Sequence, residues 1–429
     1  MSQISFLINT SVNTLDHVKL LFRSLKENLA GKEHEILVFV DSDNEGTVEW
    51  LKEQKKDYFD LKIITHKLTP CVGYSRNNNL LVELAKHPVV SYLQSDMVIS
   101  PNYDLNVLAD LEDNCILSAT RIEPPLHGES SQTITKDFGT DPNEFKWDEF
   151  QSYSVTAKQD KTIEYFFAPF TFYKKVWMDV GGYDTLFRRS REDSDLLQRF
   201  IQAGVKIKQT FRANVYHFSC VSSRGKNWFD PNSQEAQDRV RIQNMADRVE
   251  LVRFVKKWGR FNHGTDKLVR YDMDLVWKGG KFEELVPIEP FFTKIWVPNQ
   301  EIKDKLLELH KEDHVYANHL LKFGHDDWDK AQHFYNHIEY DNLIQVGEPQ
   351  DFNVKVEVDM TRDEKGSPLK SFIPFLDYLQ FLSDLINPYD PGVYELECAT
   401  FHVKNKVNLA NSHIVVTNPP FDNSLLTID

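Results

Sequence analysis

Cysteine is scarce in this chain. Four occur in 429 residues (Cys71, Cys115, Cys220 and Cys398), far apart and with no CxxC pair. That excludes a disulfide framework and a zinc ribbon, and the four read as free, mostly buried thiols. No apolar run approaches the roughly 20 residues that cross a bilayer. The opening "MSQISFLINTSVN" lacks the basic segment and long apolar stretch of a secretory leader. The expectation is a cytoplasmic protein without transmembrane anchoring. Positive charge is also in deficit, with 50 basic against 65 acidic residues and a formal charge of −15. That disfavours a surface built for non-specific nucleic-acid or anionic-membrane binding. There is no internal repeat and no low-complexity tract. The first strand pattern is followed by "NTSVNTLD" where a nucleotidyltransferase would carry a Gly-rich phosphate loop.

What is present is a 41% hydrophobic chain, long enough for two or three domains. The first hundred residues alternate strand and helix patterns. "ISFLINT" (4–10) reads as a strand, followed by a helix that Thr14 caps and Gly31 ends, with Val18, Leu21, Phe22, Leu25 and Leu29 at helical intervals. "EILVFV" (35–40) is the near-continuous apolar run of a parallel strand covered on both faces. Helix 46–55, strand 61–65, helix 77–85 and strand 89–93 complete an α/β domain. Farther on, "EYFFAPFTFYKKVW" reads as a strand entering a helix, 194–203 as a short helix and 212–218 as a strand. The expected domains are an α/β domain over 1–225, a helical extension over 226–300 and a small α+β domain over 301–429. Within the last, 300–340 and 371–386 read as helical, and 351–360, 392–403 and 412–418 as strands.

In such sheets ligands bind beyond the carboxyl ends of the strands. Asn9, Thr10 and Ser11 follow the first strand, Asp41 and Asp43 the second, and Gln94, Ser95 and Asp96 the fourth. An aspartate at a strand end suits a divalent cation whose other ligands are phosphate oxygens, because such a site needs only one or two hard protein ligands. His217, on a later strand, is a candidate second ligand. "REDSD" places Glu192, Asp193 and Asp195 at a helix start, where carboxylates are stabilised and one can serve as a general base. Each reading has a plain alternative. A lone Asp after a strand is commonly a turn former, a strand histidine a core residue, an acidic helix start a cap, and Arg76 a solvated helix residue. His333 and His337, at i, i+4 spacing, lack the Glu of an HExxH motif and read as a solvated helix face. Arg224 and Lys226 lie in a loop able to close over a diphosphate.

Taken together, "VFVDSDNEGT", "GYSRNNN", "YLQSDMVIS", "VGGYD", "SREDSDLLQRFIQAG" and "VYHF" resemble, in order and spacing, the family 2 glycosyltransferases. The resemblance covers about residues 1–260. It implies a GT-A fold, that is, a Rossmann-like α/β domain with a mostly parallel central sheet and helices on both faces. It implies an inverting transfer from a nucleoside-diphosphate sugar, UDP-linked by default, to an acceptor hydroxyl, with Mn²⁺ or Mg²⁺. The acceptor is left open among a glycan, a lipid-linked sugar, a protein and a modified nucleobase. By the resemblance Asp193 is the catalytic base, Glu192 positions the acceptor, and Asp96 and His217 hold the metal. Asp41 contacts the nucleobase and Arg76 lies near the nucleotide, with Thr10, Ser11, Gln94 and Ser95 as further donor-binding residues. Gln94 stands where the family's Asp-x-Asp motif has its first acid, and it brings no charge. The competing expectation is a catalytically silent scaffold of the same fold that binds a glycan or protein partner.

Overall fold

The computed structural model describes residues 2–57, 60–67, 73–126, 130–187, 190–219, 250–259, 264–310, 342–361, 391–396, 399–407 and 423–429, with 232, 234, 237, 409 and 416. It divides into two compact units. The first comprises Met1–Met245, Gly324–Tyr335 and Val416–Asp429, the second Ala246–Phe323 and Asn336–Val415.

The first unit carries strands β1 (Ile4–Thr10), β2 (Glu35–Val40), β3 (Leu61–His66), β4 (Val89–Gln94), β5 (Met97–Ile99), β6 (Cys115–Glu123), β7 (Thr133–Thr135), β8 (Thr162–Ile163), β9 (Phe170–Tyr173) and β10 (Lys206–His217). Its helices are α1 (Leu15–Asn28), α2 (Thr47–Gln54), α3 (Tyr74–Leu84), α4 (Tyr103–Asp110), α5 (Trp147–Thr156), α6 (Lys174–Asp179) and α7 (Glu192–Gln202). The second unit carries β11 (Met273–Gly279), β12 (Lys294–Val297), β13 (Ile344–Val346), β14 (Val354–Asp359), β15 (Gly392–Leu396) and β16 (Ala399–Val403), and β17 (Leu426–Ile428) returns to the first.

The first sheet runs β17-β3-β2-β1-β4-β9-β6-β10-β5, with β7 on β6 and β8 on β10. It is parallel from β3 through β2 and β1 to β4. Beyond β4 it becomes mixed, because β9 pairs antiparallel with both β4 and β6. Strands β1 and β2 are apolar and buried almost throughout, as the continuous runs require when both faces are covered. Because β1 lies between β2 and β4, chain order reverses there, the position at whose carboxyl end open α/β sheets form their ligand crevice.

The helices begin where their functional residues need them. Helix α3 starts at Tyr74, a turn earlier than its periodicity indicates, and so includes Arg76. Helix α7 starts at Glu192 rather than Ser194, which draws Glu192, Asp193 and Asp195 into its first turn. Thr14 occupies the N-cap position of α1 but makes no side-chain cap bond, since its hydroxyl donates to the Ser11 carbonyl at 2.7 Å. Helix α1 ends at Asn28 rather than at Gly31. Asp43 accepts the amides of Glu45, Gly46, Thr47 and Val48 at 2.9–3.1 Å, fixing the turn into α2. Its carboxylate is therefore a backbone anchor.

In the second unit the order is β13-β12-β11-β14-β16-β15, parallel across the first four and closed by an antiparallel hairpin. The 226–300 stretch, read as a helical extension, thus contributes β11 and β12, and both belong to one sheet with β13–β16. Apolar runs as short as "KIWV" carry no periodicity to separate a strand from a buried helix. The C-terminal stretch is likewise divided, because β17 pairs antiparallel with β3 of the first sheet. Residues 300–310 are helical as read. The helix read at 371–386, His333, His337, and all of the 412–418 strand except Val416 lie outside the described residues. Cys115 is buried and free.

Two buried carboxylates, Glu35 at the amino end of β2 and Asp104 in the first turn of α4, are saturated. Glu35 accepts from Lys62 Nζ (2.6 Å), the Lys86 amide (2.8 Å) and the Ser5 hydroxyl. Asp104 accepts from the Ala30 and Gly31 amides and faces His34 Nε2 at 3.0 Å. Burial raises both pKa values, but the donors outweigh it and hold them below their ordinary values of 4.5 and 3.8. A depressed folded value means stability that is complete above the unfolded pKa and lost as pH falls through the folded one. Urea unfolding is expected to show a steep loss of stability as pH falls below about 5, less steep in Glu35→Gln. A flat acid profile would contradict this account.

Candidate active site

Strand β4 ends at Gln94, and Ser95 and Asp96 make a tight turn into β5, with Asp96 only 2% exposed. Strand β5 pairs antiparallel with β10, placing Met97 opposite His217. The Phe218 amide donates to the Asp96 carbonyl at 3.1 Å and closes the turn against β10. His217 Nε2 consequently lies 3.7 Å from Asp96 Oδ1. On the other side of β10, β6 runs parallel with Ile122 opposite Tyr216, so Glu123 falls next to His217. His217 Nδ1 is 2.7 Å from Glu123 Oε1. Two residues from distant parts of the sequence, Asp96 and His217, thus meet as expected of a shared site. Glu123 was not a candidate from sequence.

Crossing the sheet, β1 and β4 pair Asn9 with Gln94 at their carboxyl ends. Among the described residues, both polar atoms of the Asn9 amide and the Gln94 amide oxygen are buried without a hydrogen-bond partner. Thr10 Oγ1 lies 2.6 Å from Thr14 Oγ1. Ser11 is half-buried, and Ser95 is buried. Asp41, at the end of β2, accepts the Gly73 amide at 3.2 Å and lies 3.0 Å from His66 Nε2. The His66 ring stacks on Phe39. His66, at the end of β3, is a second residue missed from sequence. Arg76 is buried in the first turn of α3.

Asp193 is reached through aromatics. The Tyr183 hydroxyl donates to Asp193 Oδ1 at 2.5 Å and lies 3.4 Å from the Tyr74 hydroxyl. Tyr74 in turn packs edge-on against Tyr92 of β4, two residues before Gln94. Burial first, and then the charges of Asp193, Asp96 and Glu192, hold the Tyr92 pKa well above the ordinary tyrosine value, against a hydrogen bond from Tyr74 that lowers it. The same buried hydroxyl therefore feels carboxylates from the β4–β5 turn and from the start of α7. Tyr183 is fixed by Asn79, whose side chain accepts the Tyr183 amide at 2.7 Å and donates to its carbonyl at 2.8 Å. Gly182 precedes it at φ +69°, and a Cβ there would lie 2.4 Å from Asn79 Oδ1, so glycine is required. Ser75 donates to the Phe187 carbonyl. "GYSRNNN" and "GGYD" are thus two halves of one clasp.

Asp195 has a different task. It is fully buried and paired with Arg199 (Nε 2.9 Å, Nη2 2.8 Å), whose Nη1 also donates to the Val180 carbonyl at 2.6 Å and to that of Gly182. Glu192 is half-buried at the start of α7, and Arg191 before it takes φ +65°, a conformation that costs a non-glycine residue energy and is common at functional turns. Arg224 and Lys226 lie outside the described residues.

No metal-ligating group of three or more His, Cys, Asp or Glu side chains is present among the described residues. Two protein ligands are what a hard cation shared with phosphates needs. A gap of 3.7 Å is too long for a hydrogen bond but is spanned by two bonds of about 2.1 Å meeting at an angle. The carboxylate oxygen suits Mn²⁺ or Mg²⁺, whereas the imidazole nitrogen is not a preferred ligand of Mg²⁺. Among the described residues, no helix is long and apolar enough to cross a membrane.

The first unit is a mixed α/β fold with polar side chains gathered where its strand order reverses. Residues 8–179 match the model described as glycosyl transferase family 2, so this segment, less than half of the chain, is a family 2 glycosyltransferase segment. No curated protein sequence matches the chain significantly. Among solved structures, the chain is similar to GalNAc-T7 with UDP, GalNAc and Mn²⁺ (14% identity, 50% of this chain and 43% of that one, TM-score 0.39). It is similar also to S. aureus TarS (14%, 59% and 43%, 0.39). A third is mannosyltransferase PcManGT from Pyrobaculum calidifontis with GDP-Man and Mn²⁺ (13%, 59% and 64%, 0.38). The chain spans less than half the length of the first two.

Asp195 and Asp193 are separable by experiment. Asp195→Ala leaves Arg199 charged and buried, and is expected to cost about 3–5 kcal/mol in urea unfolding. Asp193→Asn retains an acceptor for Tyr183 and is expected to change stability by less than about 1 kcal/mol.

Proposed function

We propose that the chain is an inverting, metal-dependent glycosyltransferase moving a sugar from a nucleoside-diphosphate sugar, UDP-linked by default, to an acceptor hydroxyl. The observation that carries this is the aromatic column Asp193–Tyr183–Tyr74–Tyr92, which leads from the start of α7 to the strand whose end bears Gln94 and Asp96. In this reading carboxylates nearly a hundred positions apart serve one sugar pocket, as an acid-base group and a phosphate-side group must if a sugar is to sit between them.

In this reading the acceptor oxygen attacks the anomeric carbon while the bond from that carbon to the diphosphate oxygen breaks. The acceptor proton passes to the Asp193 carboxylate, and the bonding electron pair leaves with the nucleoside diphosphate. Tyr183 holds the Asp193 carboxylate in place, and Glu192 positions the acceptor. Thr10, Ser11, Asp41, Arg76, Gln94 and Ser95 bind the donor. Asp96 and His217 would hold a divalent cation, which when bound would neutralise charge developing on the diphosphate. The acceptor is a glycan, a lipid-linked sugar, a protein or a modified nucleobase, since each presents a hydroxyl to the same base.

The test is slow donor hydrolysis with Mn²⁺ across a panel of UDP- and GDP-sugars, which bypasses the unknown acceptor. Asp193→Asn is expected to lower turnover by about 10²–10⁴-fold and to leave nucleotide affinity unchanged. Absence of any metal-dependent nucleotide binding in the wild-type chain would instead favour a catalytically silent scaffold, for which the uncharged Gln94 is the specific indication.

A further inference from the structure

His217 is held from one side only. Its Nδ1 lies 2.7 Å from Glu123 Oε1, a hydrogen-bonding distance, while Nε2 lies 3.7 Å from Asp96 Oδ1, beyond one. A carboxylate accepts and does not donate, so the shared hydrogen belongs to Nδ1. In the neutral ring this leaves the Nε2 lone pair pointing towards an oxygen that also has only lone pairs to offer. A neutral ring presents Nε2 and Asp96 Oδ1, 3.7 Å apart and both nearly buried, as two acceptors that a cation between them would satisfy.

Glu123 is itself fixed. It terminates β6, and the parallel register of β6 with β10 places it beside His217. Its Oε1 also lies 3.6 Å from Arg121 Nη1. Arg121 is anchored in turn, donating through Nε to the Ala168 carbonyl, with its guanidinium 4.7 Å from the centre of the Phe167 ring. Exposure falls along the series, with side chains 19% exposed at Arg121, 12% at Glu123, 8% at His217 and 3% at Asp96. The polar groups thus become steadily drier towards the aspartate.

We propose that Glu123 is a positioning residue for the cation site: by accepting the Nδ1 hydrogen it fixes the His217 ring and presents Nε2, beside Asp96, to a divalent ion. This rests on the reading that Asp96 and His217 hold that ion. Such outer carboxylates orient a ligating imidazole and strengthen it as a donor, and their loss typically weakens metal binding 10–100-fold.

The experiment is Mn²⁺ binding by the full chain, read from the electron paramagnetic resonance signal in the presence of saturating UDP and, separately, GDP. Glu123→Gln, whose amide both donates and accepts and so cannot select one ring nitrogen, is expected to weaken Mn²⁺ binding about 10–100-fold, with metal-free thermal unfolding and far-ultraviolet circular dichroism unchanged. Glu123→Asp keeps the charge but withdraws it by one methylene, and is expected to fall between that variant and the wild type. Wild-type Mn²⁺ affinity in Glu123→Gln overturns the proposal. Should that variant fail to fold, wild-type affinity in Glu123→Asp overturns it instead. A wild-type chain that binds no Mn²⁺ with either nucleotide overturns the cation reading beneath it, an outcome distinct from wild-type binding that Glu123→Gln leaves unaffected.

Discussion

The site depends on the register of β10 between β6 and β5. Thr210 pairs with Ala119, but the next β6 residue, Thr120, pairs with Asn214, so three residues are looped out of the ladder. Without that irregularity Asn214, not His217, would stand beside Glu123. An odd shift also reverses which face each later side chain occupies. The bulge is pinned by its own residues. Arg212 reaches Asp110 at 3.3 Å and also pairs with Asp160, the Phe211 amide and carbonyl bond the backbone of Lys161 and Gln159, and Asn214 Nδ2 donates to the Ser154 carbonyl. Bulges commonly re-aim side chains next to functional sites, and here one delivers the histidine to both carboxylates at once.

A second constraint is the clasp between α3 and the turn before α7. Asn79 exchanges two hydrogen bonds with the Tyr183 backbone, and Gly182 lets the two chains approach closely. The buried Asp195–Arg199 pair ties α7 to the same turn through the Val180 and Gly182 carbonyls. Together they hold Tyr183 against Asp193. A carboxylate at a helix start gains from the helix dipole wherever it points, whereas a tyrosine donor at 2.5 Å gives it one direction.

The acidic residues of the first unit fall into two groups with different physics. Glu35, at the amino end of β2, and Asp104, in the first turn of α4, are buried and saturated with donors from lysine, serine, histidine and backbone. Those bonds offset the cost of burying charge and leave nothing for a ligand. Asp96 and the Asn9–Gln94 amides lie at the carboxyl ends of strands, and Asn9 and Gln94 keep polar atoms that nothing among the described residues satisfies. Unsatisfied buried amides are costly alone and are retained where a ligand completes them. Gln94 fits that pattern, since an amide both donates and accepts where the common motif has a carboxylate that only accepts.

The sequence by itself determined the α/β character of the first unit, because continuous apolar runs and 3.6-residue periodicity are local signals that only a covered parallel sheet and amphipathic helices satisfy. It also marked which polar residues stand at strand ends, as Asp41 and Asp96 do, and which stand at a helix start, as Glu192 and Asp193 do. Only the tertiary structure decided that Asp195 is a buried brace and Asp43 a turn anchor, since both roles depend on partners that spacing does not reveal. Glu123 and His66 escaped notice for the same reason: an isolated acid or imidazole at a strand end acquires its meaning from the strand beside it, and strand order is set by packing across the whole sheet. The second sheet was illegible at its start because β12 is only four residues long and β11, MDLVWKG, has neither a continuous apolar run nor strict alternation, and β17 because a three-residue strand is defined by its pairing with β3 and by nothing in its own sequence.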